Sequence, residues 1–245
     1  MNLLLLRPKK YAPGDGYGNF GPEGNRLVKL AKSDFDYNTR IVEIDAQKMD
    51  ATAPIAEKAA VTAQRRKDVI AAIHAANEDM GELGVLVFAS HGWSRGMQLG
   101  FDVNTANQLA ECVYQSCRED IKISLNECST GSGGIGGDGG FADVLRDKLC
   151  EAGAVDNVVD GHTSVGDAFK NPNLRRFTGD GHPHGAAGGA YLIAPTSPLF
   201  KYWVKLMRTN LRYVTWHFEA YALAQFCIDA KAGKKPPAWM MKNLG

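Results

Sequence analysis

Short stretches with the residue pattern of β-strands recur along the chain, and longer stretches with helical periodicity lie between them. The run at 85–89, Val-Leu-Val-Phe-Ala, is apolar at every position, which is typical of a strand covered by helices on both faces. Apolar runs also occur at 1–6 and 121–125, while 39–44 alternates apolar and polar residues. With a further pair of short runs near 157 and 189, these segments predict one central sheet.

Helical and irregular segments separate the predicted strands. The helices are predicted at 26–30, 54–80, 104–119, 141–152 and 199–231. The glycines and prolines of 11–22 predict a long loop, and 167–187 is predicted to be irregular apart from its turns. Strands that alternate with helices, without an internal repeat or a linker, predict one α/β domain over residues 1–245. We expect a mostly parallel central sheet with helices on both faces, ending in the C-terminal helical segment at about 199–231.

Composition and charge narrow the class of protein. The 28 Lys and Arg residues stand against 27 Asp and Glu, so nothing favours a nucleic acid or an anionic membrane as partner. The apolar stretch at 1–6 is too short for a signal peptide or a membrane span and predicts a buried first strand. Five cysteines, an odd number and mostly within predicted helices, argue against a disulfide framework. These features predict a cytoplasmic protein in a reducing compartment.

Two of the predicted strands end on residues that can carry out acyl transfer. The strand at 85–89 leads to His91 and Gly92, and the strand at 121–125 leads to Cys128, with one predicted helix between them. Sites in open α/β sheets lie at the carboxyl ends of the strands. A thiol needs a partner to become a thiolate near neutral pH, and a histidine at a neighbouring strand end can be that partner. The sequence therefore predicts a His91–Cys128 dyad, with the Gly92 and Cys128 N–H groups forming an oxyanion hole.

The residues around this pair resemble the caspase-like cysteine peptidases, a group that includes caspases, legumains, gingipains, separases and bacterial CHAT proteases. The stretch SHGWSRG at 90–96 is similar to the histidine block of that group, and NECSTG at 126–131 is similar to its cysteine block. The resemblance covers 83–135 most closely. The caspase signature Gln-Ala-Cys-Arg-Gly is absent, and Glu127 stands where relatives usually have a small residue.

This resemblance implies a three-layer α/β sandwich and a cysteine endopeptidase that acts on a protein or peptide substrate. Cys128 would attack the scissile carbonyl to form an acyl-enzyme, and His91 would act as general base or as proton donor to the leaving amine. That chemistry requires no metal and no organic cofactor. In the resembled group, the residue two before the cysteine lines the substrate pocket, which makes Asn126 a candidate specificity residue. Strand alternation places Asn126 on the same side as Cys128 and Glu127 on the other.

Two further functions stay open. The histidines His162, His182 and His184, together with Asp160 and Asp180, could ligate zinc in a metal-dependent hydrolase, although no His-Glu-x-x-His or Cys-x-x-Cys motif supports such a site. The chain could also be a non-catalytic interaction module on the same fold. In the peptidase interpretation, Asp160 and His162 follow another predicted strand and are expected to contact substrate at the same rim.

Two remaining segments have structural interpretations. The glycine-rich run at 131–140 lacks the Gly-Lys-Ser/Thr ending of a phosphate loop, so it predicts a flexible flap beside the site. The aromatic residues between Trp203 and Phe226 predict helices packed on a sheet edge, and they leave a homodimer surface open as well.

Overall fold

The structure is a computed structural model that describes residues 1–9, 17–46, 52–167, 169–198, 200–201 and 203–204. The strands in these ranges are β1 (Asn2–Pro8), β2 (Asn38–Ile44), β3 (Leu83–Phe88), β4 (Gly92–Trp93), β5 (Gly96–Met97), β6 (Cys117–Leu125), β7 (Val158–His162), β8 (Leu174–Thr178) and β9 (Ala190–Tyr191). The helices are α1 (Tyr17–Phe35), α2 (Ile55–Met80), α3 (Ala106–Ser116) and α4 (Phe141–Ala152), with a 3-10 turn at Ile135–Gly137.

The main sheet has seven strands in the order β2-β1-β3-β6-β7-β8-β9. Strands β2, β1, β3, β6 and β7 pair in parallel, while β8 and β9 add to the β7 edge in antiparallel pairs. The remaining strands, β4 and β5, form a separate two-stranded hairpin directly after β3. The predicted fold class, an α/β domain with a mostly parallel sheet, is confirmed.

Alternate residues of β1 build a core on each face of the sheet. Leu4 and Leu6 lie in one core with buried side chains of α2, α3 and α4. Leu3 and Leu5 lie in the other core with residues of α1, among them Leu27. All four leucines are fully buried, and each contributes roughly 1.5–3 kcal/mol of hydrophobic stabilisation. The sheet is thus the middle of three layers, which explains why β3 is buried at every position.

Helix α1 is longer than its sequence pattern predicts. The loop expected at 11–22 is helical from Tyr17 onward, even though Pro22 lies inside the helix and cannot donate a backbone hydrogen bond. Phe20 and Leu27 of this helix are buried against the sheet. Burial of these apolar residues therefore outweighs the low helix propensity of the Gly and Pro residues.

Strand β8 lies in a region that the pattern predicts to be irregular, so that prediction is wrong for Leu174–Thr178. Its sequence, Leu-Arg-Arg-Phe-Thr, places two consecutive arginines in an edge-proximal strand. Arg176 forms an ion pair with Asp160 of β7, and the Arg175 guanidinium lies over the Tyr191 ring of β9 at 4.6 Å. These contacts give each arginine a partner within the sheet. Because the strand contains charged residues, its sequence lacks the apolar pattern from which strands are predicted.

The C-terminal helical segment predicted at 199–231 lies mostly outside the described residues. Trp203 is the last aromatic residue that the structure describes, and its indole is buried, with Nε1 donating to the Pro172 carbonyl at 2.8 Å. In the described part of the chain, no helix has both the length and the apolar character needed to cross a membrane.

Candidate active site

Strands β3 and β6 are neighbours in the sheet and bring the two predicted catalytic residues to one edge. Phe88 pairs with Leu125, and the Asn126 amide donates to the Phe88 carbonyl at 2.8 Å. Because the two strands are parallel, the loops that follow them leave the sheet on the same side. His91 and Cys128 are therefore both placed at this edge, as the sequence pattern predicts.

The loop that carries His91 is in van der Waals contact with the loop that carries Cys128. Gly92 lies so close that a Cβ atom there would be 2.7 Å from the Glu127 Cβ and 3.0 Å from the Thr130 Cγ2. The same atom would lie 3.2 Å from the Cys128 carbonyl oxygen. The absence of a side chain at residue 92 is thus what allows the histidine loop and the cysteine loop to approach each other.

Replacing Gly92 with alanine should therefore destabilise the protein. The added methyl group overpacks the contact, which costs roughly 1–3 kcal/mol of unfolding free energy. Gly134→Ala is the matched control, because a Cβ at residue 134 meets no atom closer than 3.4 Å. Thermal unfolding checks the pair, and equal melting temperatures for the two variants would contradict the tight contact at Gly92.

The His91 loop is held by its own hairpin and by helix α1. The Gln98 amide donates to the His91 carbonyl at 2.8 Å, and the His91 amide donates to Gln98 Oε1 at 3.3 Å. The His91 side chain is exposed, and its ring meets the Phe20 ring of α1 edge to face, with centroids 5.3 Å apart. The two hydrogen bonds with Gln98 fix the His91 backbone, and the Phe20 ring limits the positions of the exposed imidazole.

Cys128 begins a tight turn at the end of β6. Ser129, which follows it, has a φ of 62°, in the left-handed region that non-glycine residues rarely adopt. Ser132 Oγ donates to the Ser129 carbonyl at 2.5 Å, and the Ser129 amide donates to the Ser164 carbonyl at 3.3 Å. Strained conformations of this kind cost of order 1–3 kcal/mol and concentrate at functional sites. Here the strained turn is what directs the chain away from the sheet directly after the thiol.

Cys128 also differs from the other described cysteines in its exposure. Cys112, Cys117 and Cys150 are buried, whereas Cys128 is half-buried. Burial raises the pKa of the Cys112 thiol to about 12, and it raises the pKa values of Cys117 and Cys150 as well. Those thiols stay protonated near neutral pH and are poor nucleophiles. Among the cysteines that the structure describes, Cys128 is the one that a substrate can reach.

A cleft opens beside the Cys128 thiol. The thiol donates to the carbonyl of Gly166 at 3.6 Å, and Gly166 belongs to the wall of a cavity of about 430 Å³. The other lining residues are Val165, Asp167, Lys170, Asn171, Pro172 and Asn173. The loop is fixed by its own side chains, since Asn171 Nδ2 donates to the Ser164 carbonyl at 3.0 Å. The cleft is therefore formed before any ligand binds.

No family model, no curated protein and no solved structure matches this chain. Its chemistry is therefore inferred from the residues gathered at the β3 and β6 edge.

A buried polar pair lies directly beneath the two candidate catalytic residues. Ser90 and Glu127 are 1% and 0% exposed, and the Ser90 hydroxyl is hydrogen-bonded to Glu127 Oε1. The Ser90 oxygen also lies 3.1 Å from the His91 carbonyl oxygen. Burial raises the pKa of Glu127 to about 8, with the Ser90 hydrogen bond acting in the opposite direction. Near neutral pH the Glu127 carboxyl is therefore mainly protonated, which makes its burial tolerable.

Asn126, the predicted specificity residue, is only 1% exposed. Its side-chain nitrogen and oxygen have no hydrogen-bond partner among the described residues. A buried polar group left unpaired costs roughly 1–3 kcal/mol, so a polar group that reached this amide would be bound. Contact between Asn126 and substrate stays a prediction.

Asp160 and His162 lie within β7 rather than in the loop after it, because the strand extends to His162. They are 4% and 2% exposed. The Asp160 carboxylate is occupied by a bidentate pair with Arg176, at 2.8 and 2.7 Å. This pair fastens β8 to β7. The loop that lies beside Cys128 is instead the one that contains Gly166. Contact of Asp160 and His162 with substrate stays a prediction.

The histidines of the zinc hypothesis do not converge. Within the described residues, no three His, Cys, Asp or Glu side chains are grouped as a metal ion would require. His162 is buried in β7, whereas His182 and His184 are exposed in the loop after β8. The metal-dependent alternative thus gains no support from the geometry.

The glycine-rich run is more tightly packed than the predicted flap. A Cβ at Gly131 would lie 2.3 Å from the Gly161 carbonyl oxygen, and one at Gly140 would lie 2.0 Å from the Ser132 carbonyl oxygen. Both ends of the run are therefore closely packed against neighbouring backbone, whereas the side chain of Ile135, between them, is fully exposed. Glycine serves here to let backbone segments pass close to each other.

Proposed function

We propose that this chain is a cysteine endopeptidase with Cys128 as nucleophile and His91 as its acid–base partner. One observation carries the proposal. A half-buried thiol at the end of β6 is packed against a histidine-bearing loop at the end of the neighbouring parallel strand, and a preformed cleft opens beside it. The three other described thiols are buried and held protonated, so Cys128 is the chemically suitable one.

The reaction proceeds in two steps. His91 accepts the thiol proton, and the Cys128 sulfur attacks the scissile carbonyl carbon to form a tetrahedral oxyanion. The C–N bond then breaks, and His91 returns the proton to the leaving amine, which leaves a thioester on Cys128. Water attacks the thioester carbon while His91 takes its proton, and the C–S bond breaks to release the carboxylic acid and the free thiol. N–H groups of Gly92 and Cys128 would stabilise the oxyanion by roughly 3 kcal/mol each.

The cleft supports a polypeptide as the substrate. Four of its lining residues, Asp167, Lys170, Asn171 and Asn173, are charged or carry amides, which suits a hydrogen-bonding chain. Lys170 is paired with Glu23 of α1, so this wall is anchored to the helix layer. Val165 at the rim is 83% exposed and leaves the cleft open along the surface. Because the Cys128 thiol is hydrogen-bonded to Gly166 of this wall, a peptide lying there would pass close to the sulfur.

Cleavage profiling with a proteome-derived peptide library tests this function. We expect new amino termini that share a preference for the residue before the cut bond. A peptidyl acyloxymethyl ketone built on that preference should then modify Cys128, as mass spectrometry of the digested protein would show. Buried Cys112, Cys117 and Cys150 serve as internal controls within the same digest.

Two results would contradict the proposal. One is a library without new termini, and the other is a label on any cysteine except Cys128. Activity that disappears in a metal chelator, and persists when Cys128 is alkylated, would instead favour the metal-dependent hydrolase.

A further inference from the structure

A buried hydrogen-bonded chain joins the two loops that carry the proposed catalytic residues. It runs from the Glu127 carboxyl on the β6 side to the Ser90 hydroxyl on the β3 side, and from that hydroxyl to the His91 carbonyl at 3.1 Å. Gly92 packs closely on the Glu127 Cβ, so the base of this side chain is in contact with the histidine loop. Nothing in the proposed reaction uses Glu127 or Ser90 directly, yet both are fully buried at its centre.

The number of protons in this chain allows two arrangements. A hydroxyl has one proton, so Ser90 can donate either to the His91 carbonyl or to Glu127. If Glu127 is neutral, its O–H donates to Ser90, and Ser90 donates to the His91 carbonyl. If Glu127 is ionised, it accepts the Ser90 proton, and the His91 carbonyl loses that donor. The protonation of one buried carboxyl thus decides whether Ser90 holds the histidine loop.

We propose that Glu127 is a positioning residue for the peptidase reaction: in its neutral form it holds the His91 backbone, through Ser90, where the imidazole serves Cys128. This inference rests on the proposed function. It assigns a role to Glu127, which stands where the caspase-like peptidases usually have a small residue. Glu127 acts through Ser90 and does not touch the substrate.

The direction of the pH effect follows from the groups around Glu127. Burial raises its pKa to about 8, and among the described residues no charged side chain contributes to that shift. The nearest titratable groups along the two loops are His91 and Cys128. Uncharged Gly92 packs on the Glu127 Cβ, and the Thr130 hydroxyl donates to the Glu127 carbonyl at 3.4 Å. As the pH rises through about 8, the ionised carboxylate withdraws Ser90 from His91.

Glu127→Gln separates these states, because its amide N–H₂ can donate to Ser90 as the neutral carboxyl does, and it never ionises. We expect kcat/KM of the best-cut library peptide to stay within about threefold of wild type at pH 7, the change expected for one altered hydrogen bond. Above pH 8, wild type should decline toward a plateau about tenfold lower, the loss expected when Ser90 is withdrawn from the His91 carbonyl, whereas Glu127→Gln should not decline. The matched control is Glu111→Gln on the exposed face of α3, which should keep the wild-type profile.

Ser90→Ala provides a second test of the same chain. It should lower kcat about tenfold at pH 7 with KM unchanged, since it removes one hydrogen bond to the histidine loop, and it should lack the decline above pH 8. Melting temperatures near that of wild type show that each variant is folded. An alkaline decline that persists in Glu127→Gln, or activity lost at every pH in a folded Glu127→Gln, would overturn the inference. A wild-type protein that cleaves no library peptide would instead overturn the proposed function.

Discussion

Replacing Cys128 with alanine should abolish peptide cleavage, whereas replacing His91 with alanine should leave a small remnant. Without the sulfur no acyl-enzyme can form, and losses on removing a nucleophile of this kind are roughly 10⁴-fold or larger. Loss of general acid–base catalysis alone costs roughly 10²–10⁴-fold, since the thiol at Cys128 retains some intrinsic nucleophilicity. Initial rates with the best-cut library peptide measure both variants.

Cys112→Ala is the matched control for the loss of a thiol. Cys112 lies in α3 and is buried, so its replacement should leave kcat unchanged, apart from any cost in stability. Thermal unfolding of all three variants separates a lost reaction from a lost fold. Full turnover by Cys128→Ala would eliminate the dyad, and equal rates for His91→Ala and wild type would eliminate the role assigned to the histidine.

The positions of the candidate catalytic residues could be predicted because buried parallel strands have a clear sequence pattern. Strand β3 is buried at all six positions, and β6 is buried at each of its last three. An apolar run of that kind marks where the strand stops, and hence which residue lies at the carboxyl edge. The placement of His91 and Cys128 at one edge then follows from the pairing of β3 with β6, which is the simplest pairing for strands joined by one helix.

The hydrogen bond between Glu127 and Ser90 beneath the site could not be predicted in the same way. Strand alternation places Glu127 away from the Cys128 side, and the structure shows that this direction leads to Ser90 on the neighbouring strand end. A periodic pattern shows which face a residue occupies, but it does not show which side chain of another strand it meets. The cleft beside Cys128 was missed for a related reason, because its walls come from a loop of polar residues whose path depends on contacts such as that between Asn171 and Ser164.

Helix α4 also has buried side chains whose contacts its sequence pattern does not predict. Its apolar face predicts the helix correctly, but Asp143 and Arg146 are spaced like an exposed i,i+3 pair and are in fact 2% and 1% exposed. Strand β8, the loop that follows it and the glycine-rich run cover them. Arg146 donates to the carbonyls of Thr178 and Gly188 at 3.2 Å each, and Asp143 accepts from the Gly139 amide at 3.0 Å. This ion pair therefore fastens the antiparallel edge of the sheet to the helix layer.

Arg146→Met should consequently be among the most destabilising single substitutions in the described chain. It leaves the Asp143 carboxylate buried without its partner at 2.6 Å, and breaking a buried pair from one side costs roughly 3–5 kcal/mol. For a chain of this size the melting temperature should fall by on the order of 10 °C. The carbonyls of Thr178 and Gly188 lose their donor in the same step, so the β8–β9 edge should also gain the largest increase in amide exchange.

Arg118→Met gives the matched comparison, because Arg118 forms a similar pair with Asp120 at 2.8 Å on the surface, with side chains about half exposed. Such pairs contribute roughly 0–1 kcal/mol, so its melting temperature should hardly change. Adding Asp143→Leu to Arg146→Met should recover part of the lost stability, since the unpaired charge is then removed. If Arg146→Met and Arg118→Met unfold at the same temperature, the pair in α4 does not hold the edge strands. In that case the pairing of β8 with β7 and the ion pair of Arg176 with Asp160 are the contacts that still hold this edge.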